Sequence, residues 1–360
     1  MDSNKFRSAY LNRDIKNKVY TWKSPSNIAL VKYWGKTDPQ IPKNSSISFT
    51  LDTCNSKTEM EVSQRSDFSE DFSFEIWFEG VLEDSFRPKI SSFFKRIETY
   101  LPFLRDFHFV FKSENSFPHS SGIASSASGM SAIASCLMSL EEDLFPETSK
   151  DSILEKTSFL SRLGSGSACR SLEGPLVVWG KHPEIKGSSD LYGTAYPYNV
   201  HSVFENYQDT ILLVDKGEKK VSSTLGHKLM DGHPFADSRF EQAKDNLTAL
   251  SQVLQNGDLD EFMEIVESEA LTLHAMMMCS KPYFILMKAN TLRIIEKVWE
   301  YRENSGKHLC FTLDAGANVH LLYPESEKEE ILAFIERELL EFCENNQYLK
   351  DNCGRGAFRL

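Results

Sequence analysis

Residues 117–129 read Phe-Pro-His-Ser-Ser-Gly-Ile-Ala-Ser-Ser-Ala-Ser-Gly, inside a segment from Asn115 to Leu140 that contains no Asp, Glu, Lys or Arg. An apolar alternation typical of a strand precedes this stretch, and a helical pattern begins at Ser125. Small residues let backbone N–H groups approach a ligand, and the N-terminus of a helix attracts anions. One interpretation is a phosphate-binding turn, and the other is a Ser-rich helix start packed tightly on a sheet. These residues alone leave both interpretations open.

The charge balance limits the classes of partner. Among 360 residues, 52 Asp and Glu outnumber 40 Lys and Arg, which leaves a net charge of −12. A general binder of nucleic acid or of acidic membranes is therefore not expected. An anionic ligand would instead need positive charge concentrated locally. With 41% hydrophobic residues the chain is globular, and its length predicts two domains.

The targeting and redox signals predict a cytoplasmic protein. Residues 1–7 lack the apolar core of a signal peptide. The charge-free segment holds nine serines and is too polar to span a membrane. Seven cysteines without a C-x-x-C pair favour reduced thiols over a disulfide framework or a zinc site.

Hydrophobic periodicity predicts an α+β organisation. The predicted strands are 27–34, 47–51, 58–62, 72–78, 107–111, 176–179, 210–214, 309–313 and 319–323. The predicted helices are 90–100, 125–138, 153–163, 240–255, 259–278, 284–301 and 328–344. Gly and Pro residues between 181 and 198 indicate a loop or a domain crossing. Two α+β domains that meet near residue 195 are therefore expected.

Three further clusters combine small and charged residues at predicted turns. They are Asn-Ile-Ala-Leu-Val-Lys-Tyr-Trp-Gly-Lys at 27–36, Gly-Ser-Gly-Ser-Ala-Cys-Arg at 164–170 and Asp-Ala-Gly-Ala-Asn at 314–318. The second cluster offers backbone donors, hydroxyls and a guanidinium, which suits an anion. Each cluster taken singly slightly favours the interpretation as a turn with a capping side chain. The chain contains neither a Walker A loop nor a G-x-S-x-G nucleophile motif.

Taken together and in this order, the clusters resemble the motifs of the diphosphomevalonate decarboxylase family in the GHMP kinase superfamily. The family's N-I-A-x-x-K-Y-W-G-K, N-S-S-x-S, F-P-x-x-x-G-x-A-S-S-A, G-S-G-S-A-C-R-S and D-A-G-P-N appear at 27–36, 44–48, 117–127, 164–171 and 314–318. Ala317 replaces the usual proline of the last motif. His227 replaces the methionine that ends the family's K-x-x-S-S-T-x-G-M, and residues 231–234 do not follow the usual pattern.

The resemblance implies a fold. We expect the GHMP kinase fold, with an N-terminal domain of the ribosomal protein S5 domain 2-like type over residues 1–195, including a left-handed β-α-β unit. A C-terminal ferredoxin-like α+β domain is expected over 196–360. All four clusters would then face the cleft between the two domains.

The resemblance also implies a reaction, with ATP and Mg²⁺ as cofactors. The tertiary hydroxyl of mevalonate 5-diphosphate is phosphorylated, and loss of phosphate and carbon dioxide then gives isopentenyl diphosphate, a step of the mevalonate pathway of isoprenoid biosynthesis. Asp314 would orient or deprotonate the hydroxyl, Lys32 would neutralise charge beside it, and Arg170 would hold the substrate carboxylate. No metal ligand is assigned.

The remaining site residues follow from the same motifs. The expected ligands of the substrate diphosphate are Tyr33, Lys36, Ser165, Gly166, Ser167 and, less directly, Ser223. The expected ligands of ATP are Asn27, Gly122, Ser125 and Ser126. The partner is thus a small molecule, with neither nucleic acid nor membrane, while the oligomeric state, including a homodimer, is left open.

Three alternative functions stay open. The first is an enzyme of the same fold that stops after phosphorylation, a mevalonate 3-kinase, or one that decarboxylates mevalonate 5-phosphate. The second is a catalytically silent homologue that only binds nucleotide. The third is a kinase of the superfamily that acts on another alcohol. The presence of Asp314, Lys32 and Arg170 together favours the complete decarboxylation.

Overall fold

A computed structural model describes residues 3–9, 15, 17–118, 123–217 and 223–360, with the side chains of residues 223 and 224 left out. The strands are β1 (Lys18–Val31), β2 (Lys36–Thr37), β3 (Ile41–Pro42), β4 (Ser46–Gln64), β5 (Ser73–Phe78), β6 (Val81–Leu82), β7 (Phe107–Asn115), β8 (Leu176–Trp179), β9 (Gly193–Ala195), β10 (Gln208–Leu212), β11 (Cys310–Thr312), β12 (Val319–Tyr323), β13 (Tyr348–Asn352) and β14 (Phe358–Arg359). The α-helices are α1 (Arg87–Ile97), α2 (Ser125–Leu144), α3 (Lys150–Gly164), α4 (Ser223–Lys228), α5 (Ala236–Asn256), α6 (Leu259–Cys279), α7 (Ala289–Ser305) and α8 (Lys328–Glu338).

The first sheet is built around the long strand β4. Its strand order is β14-β1-β4-β7-β5-β6, and β8 and β9 extend from the first half of β4. The second half of β4 runs antiparallel to β7, from Ser56 opposite Asn115 to Gln64 opposite Phe107. Strands β5 and β7 are parallel and flank α1 in sequence, so they form a β-α-β unit. Alternate residues of β7, Phe107, Phe109 and Phe111, are buried under α1 and α2, which explains the period of two in the sequence.

The second sheet has four antiparallel strands in the order β11-β12-β10-β13. Numbered along the chain and read from the β13 edge, this order is 4-1-3-2, which is the expected ferredoxin-like arrangement. Helices α6, α7 and α8 bury one apolar cluster against the sheet, with Ile294, Phe311 and Phe334 at its centre. The mixed α+β fold is thus the expected fold.

The two halves of the chain are tied together at several places. Helices α5 and α6 pack on β1 and β4 of the first sheet. The Asp351 carboxylate on β13 accepts the backbone N–H groups of Asp52, Thr53 and Cys54 at 2.7–2.9 Å. Strand β14 returns to the first sheet and pairs with β1. The chain after residue 196 therefore contributes one strand to the sheet built by the chain before it.

Most predicted elements lie where the sequence placed them, and the differences have local causes. The segment 181–198 contains β9, a short strand paired with β8. Helix α7 begins at Ala289 rather than at 284, and the Lys288 N–H donates to Oγ1 of Thr291 at 3.1 Å where the helix begins. The last predicted helix ends at Glu338 rather than at 344. Apolar residues of 284–288 pack on the α6 side as irregular chain, which imitates a helical pattern in the sequence.

No helix within the described ranges is long and apolar enough to cross a membrane. All seven cysteines are unpaired thiols, and six of them are buried. Burial raises the pKa of the buried Cys169 thiol to about 12, so the thiol in the 164–170 cluster stays protonated and unreactive at neutral pH.

Candidate active site

A cavity of about 460 Å³ lies where the four sequence clusters meet. Asn27, Ser125, Arg170 and Asp314, one residue from each cluster, all line it. The first sheet, the start of α2, the 164–171 turn and the β11–β12 turn supply the walls. The prediction that the clusters face one cleft is confirmed, since Ser125 and Asp314 border the same space.

The cavity is strongly positive although the protein is acidic. Four cationic side chains line it, Lys32, Lys36, Lys89 and Arg170, and Asp314 is the one carboxylate among the described lining residues. The net charge of −12 is thus reversed locally. A pocket with this charge suits an anion that carries several phosphate groups.

Lys32 and Asp314 form an ion pair in the cavity wall. The Lys32 Nζ lies 3.2 Å from Oδ1 of Asp314, and the two side chains are 2% and 29% exposed. Burial lowers the pKa of the Lys32 ammonium, and the Asp314 charge opposes this shift. Asp314 is the more accessible partner, so its carboxylate is the group that a ligand in the cavity can reach.

The backbone of Lys32 is fixed by a buried network from the second half of the chain. The Lys32 N–H donates to Oε2 of Glu269 at 2.8 Å, and Arg239 donates to the Lys32 carbonyl at 3.2 Å. Arg239 also forms a two-pronged pair with the Glu269 carboxylate, and both side chains are fully buried. The Asn44 amide donates to the same Lys32 carbonyl at 2.9 Å. The end of β1 therefore has a single well-defined position.

The turn that carries Asp314 is held from two helices. His274 on α6 donates from Nε2 to the Asp314 carbonyl at 3.1 Å. Thr291 on α7 donates to the Ala317 carbonyl at 2.7 Å. The missing proline at position 317 leaves the turn without a rigid residue, and these two hydrogen bonds supply the restraint instead.

Arg170 sits at the end of the 164–171 turn and is buried. One of its amino nitrogens donates to the Ser46 hydroxyl at 2.5 Å, and its Nε has no hydrogen-bond partner among the described residues. A Cβ on Gly166 would lie 2.8 Å from the Trp179 ring and 2.9 Å from the Tyr33 hydroxyl, so only glycine fits there. An unpartnered guanidinium nitrogen in a cavity wall is a donor available to a ligand.

Asn27 fixes the same turn from β1. Its amide nitrogen donates to the Ser171 hydroxyl at 2.8 Å and to the Ser167 carbonyl at 3.3 Å. Its amide oxygen is buried and accepts no hydrogen bond from a described residue. Asn27 thus both positions the turn and leaves one polar atom at the cavity.

Tyr33 and Lys36 follow β1 along the cavity. The Tyr33 hydroxyl is buried and lacks a partner among the described residues, and burial raises its pKa. Lys36 donates to the Gln40 side chain at 2.7 Å, and partial burial lowers the pKa of its ammonium. Ser165, Gly166 and Ser167 also line the cavity. The predicted ligands of the substrate diphosphate, apart from Ser223, therefore border one space.

The start of α2 lines the same cavity and contacts the 164–170 turn. Ala124 has a left-handed backbone (φ 40°) that turns the chain into the helix at Ser125. Ser125 accepts the Asn115 amide at 3.2 Å, and Ser126 donates to Ser165 at 3.0 Å. The first N–H groups of a helix have no partner within it, so they are available to an anion. Among the other predicted residues, Gly122 lies outside the described residues, and so does the side chain of Ser223, whose backbone begins α4.

Sequence reasoning missed several residues of this cavity. Lys89 on α1 donates to the Ser126 hydroxyl at 3.1 Å and reaches the cavity from far along the chain. The end beside α2 also has an apolar wall, formed by Ile76, Phe78, Phe86, Ile90, Phe111, Met130 and Ile133. The alternation of apolar residues at 72–78 was a visible signal for part of this wall, but it was interpreted only as the buried face of a strand.

The cavity contains few side chains that could coordinate a metal ion. No group of three or more His, Cys, Asp or Glu side chains within the described ranges is arranged to hold a metal. The cavity offers one carboxylate, Asp314, and the hydroxyls of Ser125 and Ser126. Mg²⁺ in phosphate-transferring sites takes one or two carboxylates together with phosphate oxygens and water. These residues therefore fit Mg²⁺ that arrives with a nucleotide, and do not form a protein cage for it.

Two family models match the chain and together span most of it. Residues 24–190 match the diphosphomevalonate decarboxylase-like N-terminal domain, and residues 210–356 match the mevalonate 5-diphosphate decarboxylase C-terminal domain. The second match includes most of the final 35 residues, for which the sequence motifs offered no guide.

Curated relatives of the chain have the same family name as the two matching family models. The diphosphomevalonate decarboxylase of Debaryomyces hansenii is 30% identical over 341 residues, which covers 88% of this chain and 83% of the relative. The human diphosphomevalonate decarboxylase is 28% identical over 335 residues, with coverage of 88% and 79%.

Among solved structures, mevalonate diphosphate decarboxylase from Staphylococcus aureus aligns with a TM-score of 0.81 at 27% identity, over 96% of this chain and 98% of that one. The protein MDDEF, in a complex with MVAPP, AMPPCP and magnesium, aligns with a TM-score of 0.80 at 26% identity, over 96% and 99%. The fold, the motifs in one cavity and the similarity along the whole chain lead to one conclusion: the chain belongs to the diphosphomevalonate decarboxylase family.

Proposed function

We propose that the protein catalyses the ATP-dependent decarboxylation of mevalonate 5-diphosphate to isopentenyl diphosphate, a reaction of isoprenoid biosynthesis by the mevalonate pathway. The observation that carries this proposal is the meeting of Lys32, Asp314 and Arg170 in one cationic cavity with the start of α2. One acid, one buried ammonium and one buried guanidinium are the groups that a phosphorylation followed by loss of a carboxylate requires.

Asp314 acts on the tertiary hydroxyl of the substrate. Its carboxylate accepts the hydroxyl hydrogen bond and turns the oxygen toward the transferred phosphoryl group. The Lys32 ammonium at 3.2 Å keeps Asp314 ionised and neutralises negative charge that develops beside it. Because the Lys32 backbone is held by Glu269 and Arg239, the ammonium is positioned before a ligand binds.

Arg170 binds the substrate carboxylate. Its planar fork suits a planar carboxylate, and its Nε lacks a partner in the described structure. When the new phosphate departs, positive character develops at the tertiary carbon, and loss of carbon dioxide from the neighbouring carboxylate supplies the electron pair of the new double bond. Arg170 holds that carboxylate in the orientation the elimination needs.

Two neighbouring sets of residues in the cavity bind the phosphate groups of the substrate and of ATP. Tyr33, Lys36, Ser165, Gly166 and Ser167 surround the substrate diphosphate, and Ser223 is assigned to the same group. Asn27, Ser125 and Ser126, with Gly122, contact the ATP phosphates, and Lys89 adds a fourth positive charge. The apolar wall from Ile76 to Ile133 accommodates the adenine ring. Mg²⁺ that arrives with ATP would supply positive charge to the transferred phosphoryl group, and the Asp314 carboxylate and the Ser125 hydroxyl are the residues that would hold it.

The placement of the protein in the cell and its division into domains are part of the same proposal. A cytoplasmic location agrees with seven thiols that show no paired spacing. Domain boundaries at 1–195 and 196–360 agree with the two sheets, with β14 as the segment that crosses back.

The decisive experiment follows the two products separately. The protein is incubated with ATP, Mg²⁺ and either mevalonate, mevalonate 5-phosphate or mevalonate 5-diphosphate, while ADP and carbon dioxide are measured. We expect equal amounts of ADP and carbon dioxide from the 5-diphosphate. ADP without carbon dioxide would identify a 3-kinase, and turnover of the 5-phosphate would identify the monophosphate enzyme. Neither product from any of the three substrates would overturn the proposal in favour of a nucleotide-binding homologue without activity or a kinase that acts on another alcohol.

A further inference from the structure

His227 is the position at which this chain departs most clearly from the motif of its family, and the structure places its ring in the wall of the cavity. The imidazole packs on the rings of Tyr33 and Trp34, with centroids 4.2 and 4.6 Å away. The preceding residue permits this contact, since a Cβ on Gly226 would lie 2.5 Å from the Trp34 indole.

The hydrogen-bond pattern fixes the tautomer of the ring. His227 Nδ1 accepts the backbone N–H of Gly35 at 3.0 Å, so the proton of the neutral ring resides on Nε2. Nε2 makes no hydrogen bond with any residue that the structure describes. The residue is only 7% exposed, and it lines the cavity. An N–H group of a cavity-lining ring that has no partner among the described residues is available as a donor to a ligand.

The charge around the ring keeps it neutral and indicates which ligand it meets. Burial, together with the positive charges of Lys36 and Arg170, lowers the pKa of His227 to about 3. The same two cations make this end of the cavity attractive to an anion, and Tyr33 shares the wall. An uncharged donor beside two cations adds a directional hydrogen bond without adding repulsion between positive charges.

We propose that His227 is a further substrate-binding residue, which donates its Nε2–H to an oxygen of the substrate diphosphate. This rests on the proposed function, because the diphosphate is assigned to the Tyr33 and Lys36 end of the cavity. The methionine of the family motif has no donor for this contact, so His227 makes this protein bind the diphosphate more tightly than a methionine at the same position would.

The test compares the affinity for mevalonate 5-diphosphate, measured by calorimetry, in the wild type, His227→Met and His227→Gln. We expect roughly tenfold weaker binding in His227→Met, since a hydrogen bond to a charged acceptor is lost. His227→Gln keeps an acceptor for the Gly35 N–H and an N–H donor, so its affinity should stay within about threefold of the wild type. Inorganic diphosphate, which has no carboxylate, should show the same ratio between wild type and His227→Met.

A matched control lies on the same segment. His233 is also buried, but its Nε2 donates to the Met276 carbonyl at 3.1 Å and it does not line the cavity. His233→Gln should therefore leave the affinity for mevalonate 5-diphosphate unchanged, and the affinity for an ATP analogue should be unchanged in every variant.

Equal binding by wild type and His227→Met, or equal losses in His227→Met and His227→Gln, would overturn the inference. An unchanged affinity for inorganic diphosphate in His227→Met would overturn the assignment to the diphosphate. Failure of the wild type to release carbon dioxide would count against the proposed function instead, so the two failures are distinguishable.

Discussion

Arg170 is buried, donates to Ser46 and keeps Nε unpartnered among the described residues, so its guanidinium is already oriented before a carboxylate arrives. A lysine at this position would keep the charge but lose the planar pair of donors. For Arg170→Lys we expect a lower kcat/KM for carbon dioxide release, which corresponds to a loss of about 1–3 kcal/mol in transition-state stabilisation. Steady-state kinetics on mevalonate 5-diphosphate measures this, and an unchanged rate would remove Arg170 from the proposed role.

The variant Asp314→Asn tests whether Asp314 is needed for phosphorylation of the substrate hydroxyl. Asparagine preserves the shape of the side chain but cannot take the proton or hold the Lys32 ammonium as an ion pair. Loss of a general base is worth about 10²–10⁴ in rate, so both ADP and carbon dioxide formation should fall by at least that factor. Nucleotide binding should survive, because the proposed ligands of the ATP phosphates, Asn27, Ser125 and Ser126, are unchanged in this variant.

Product analysis of Asp314→Asn distinguishes the alternatives. Near-normal ADP formation without carbon dioxide would restrict Asp314 to the elimination step. Near-normal formation of both products would exclude it from the mechanism. Calorimetric titration with an ATP analogue provides the control that the variant is folded and still binds nucleotide.

At the scale of elements, the β11–β12 turn depends on α6 as much as on its own residues. His274 donates to the Asp314 carbonyl, and its burial lowers its pKa to about 4. In the unfolded chain the imidazole regains an ordinary pKa near 6.5. Between about pH 6.5 and pH 4 the unfolded state therefore binds one more proton than the folded state, so stability is lost as the pH falls through this window.

His274→Gln should reduce this acid sensitivity. Glutamine retains an N–H donor for the Asp314 carbonyl but does not titrate. From pH 7 to pH 4.5 we expect the variant to lose about 2–3 kcal/mol less stability than the wild type. Urea denaturation at the two pH values measures the difference, and parallel losses in both proteins would show that His274 does not titrate as its burial predicts.

The elements also show why some residues could be predicted from the sequence and others could not. The 164–170 cluster was readable because its glycine, hydroxyls and arginine are contiguous and act together. Lys89 is an ordinary helix lysine in the sequence, and only the packing of α1 beside α2 brings it to Ser126. The role of His227 depends on a ring contact with residues almost two hundred positions earlier. Local pattern reveals a contiguous anion site, but not a site assembled from distant elements.

At the scale of the whole molecule, the second half of the chain is hydrogen-bonded to the first half at the end of β1. Glu269 on α6 accepts the Lys32 backbone N–H, two donors from Arg239 on α5 and the Asn246 amide at 2.7 Å. Lys32, Arg239 and Glu269 are buried, and nothing in the sequence pattern distinguishes Arg239 and Glu269 from the other charged residues of the two helices. Their pairing follows from the way α5 and α6 pack on the first sheet.

Two variants of this network should affect the stability of the protein and its activity differently. Glu269→Leu leaves the Arg239 guanidinium buried without a counter-charge, which should cost about 3–5 kcal/mol. The double variant Arg239→Met with Glu269→Leu removes both charges and should recover a large part of that loss. Neither variant restores an acceptor for the Lys32 N–H, so the end of β1 should remain loosened in both. We therefore expect the double variant to regain stability in thermal unfolding while carbon dioxide release stays reduced about tenfold or more. Full recovery of both properties would mean that the network only fills the core and does not position Lys32.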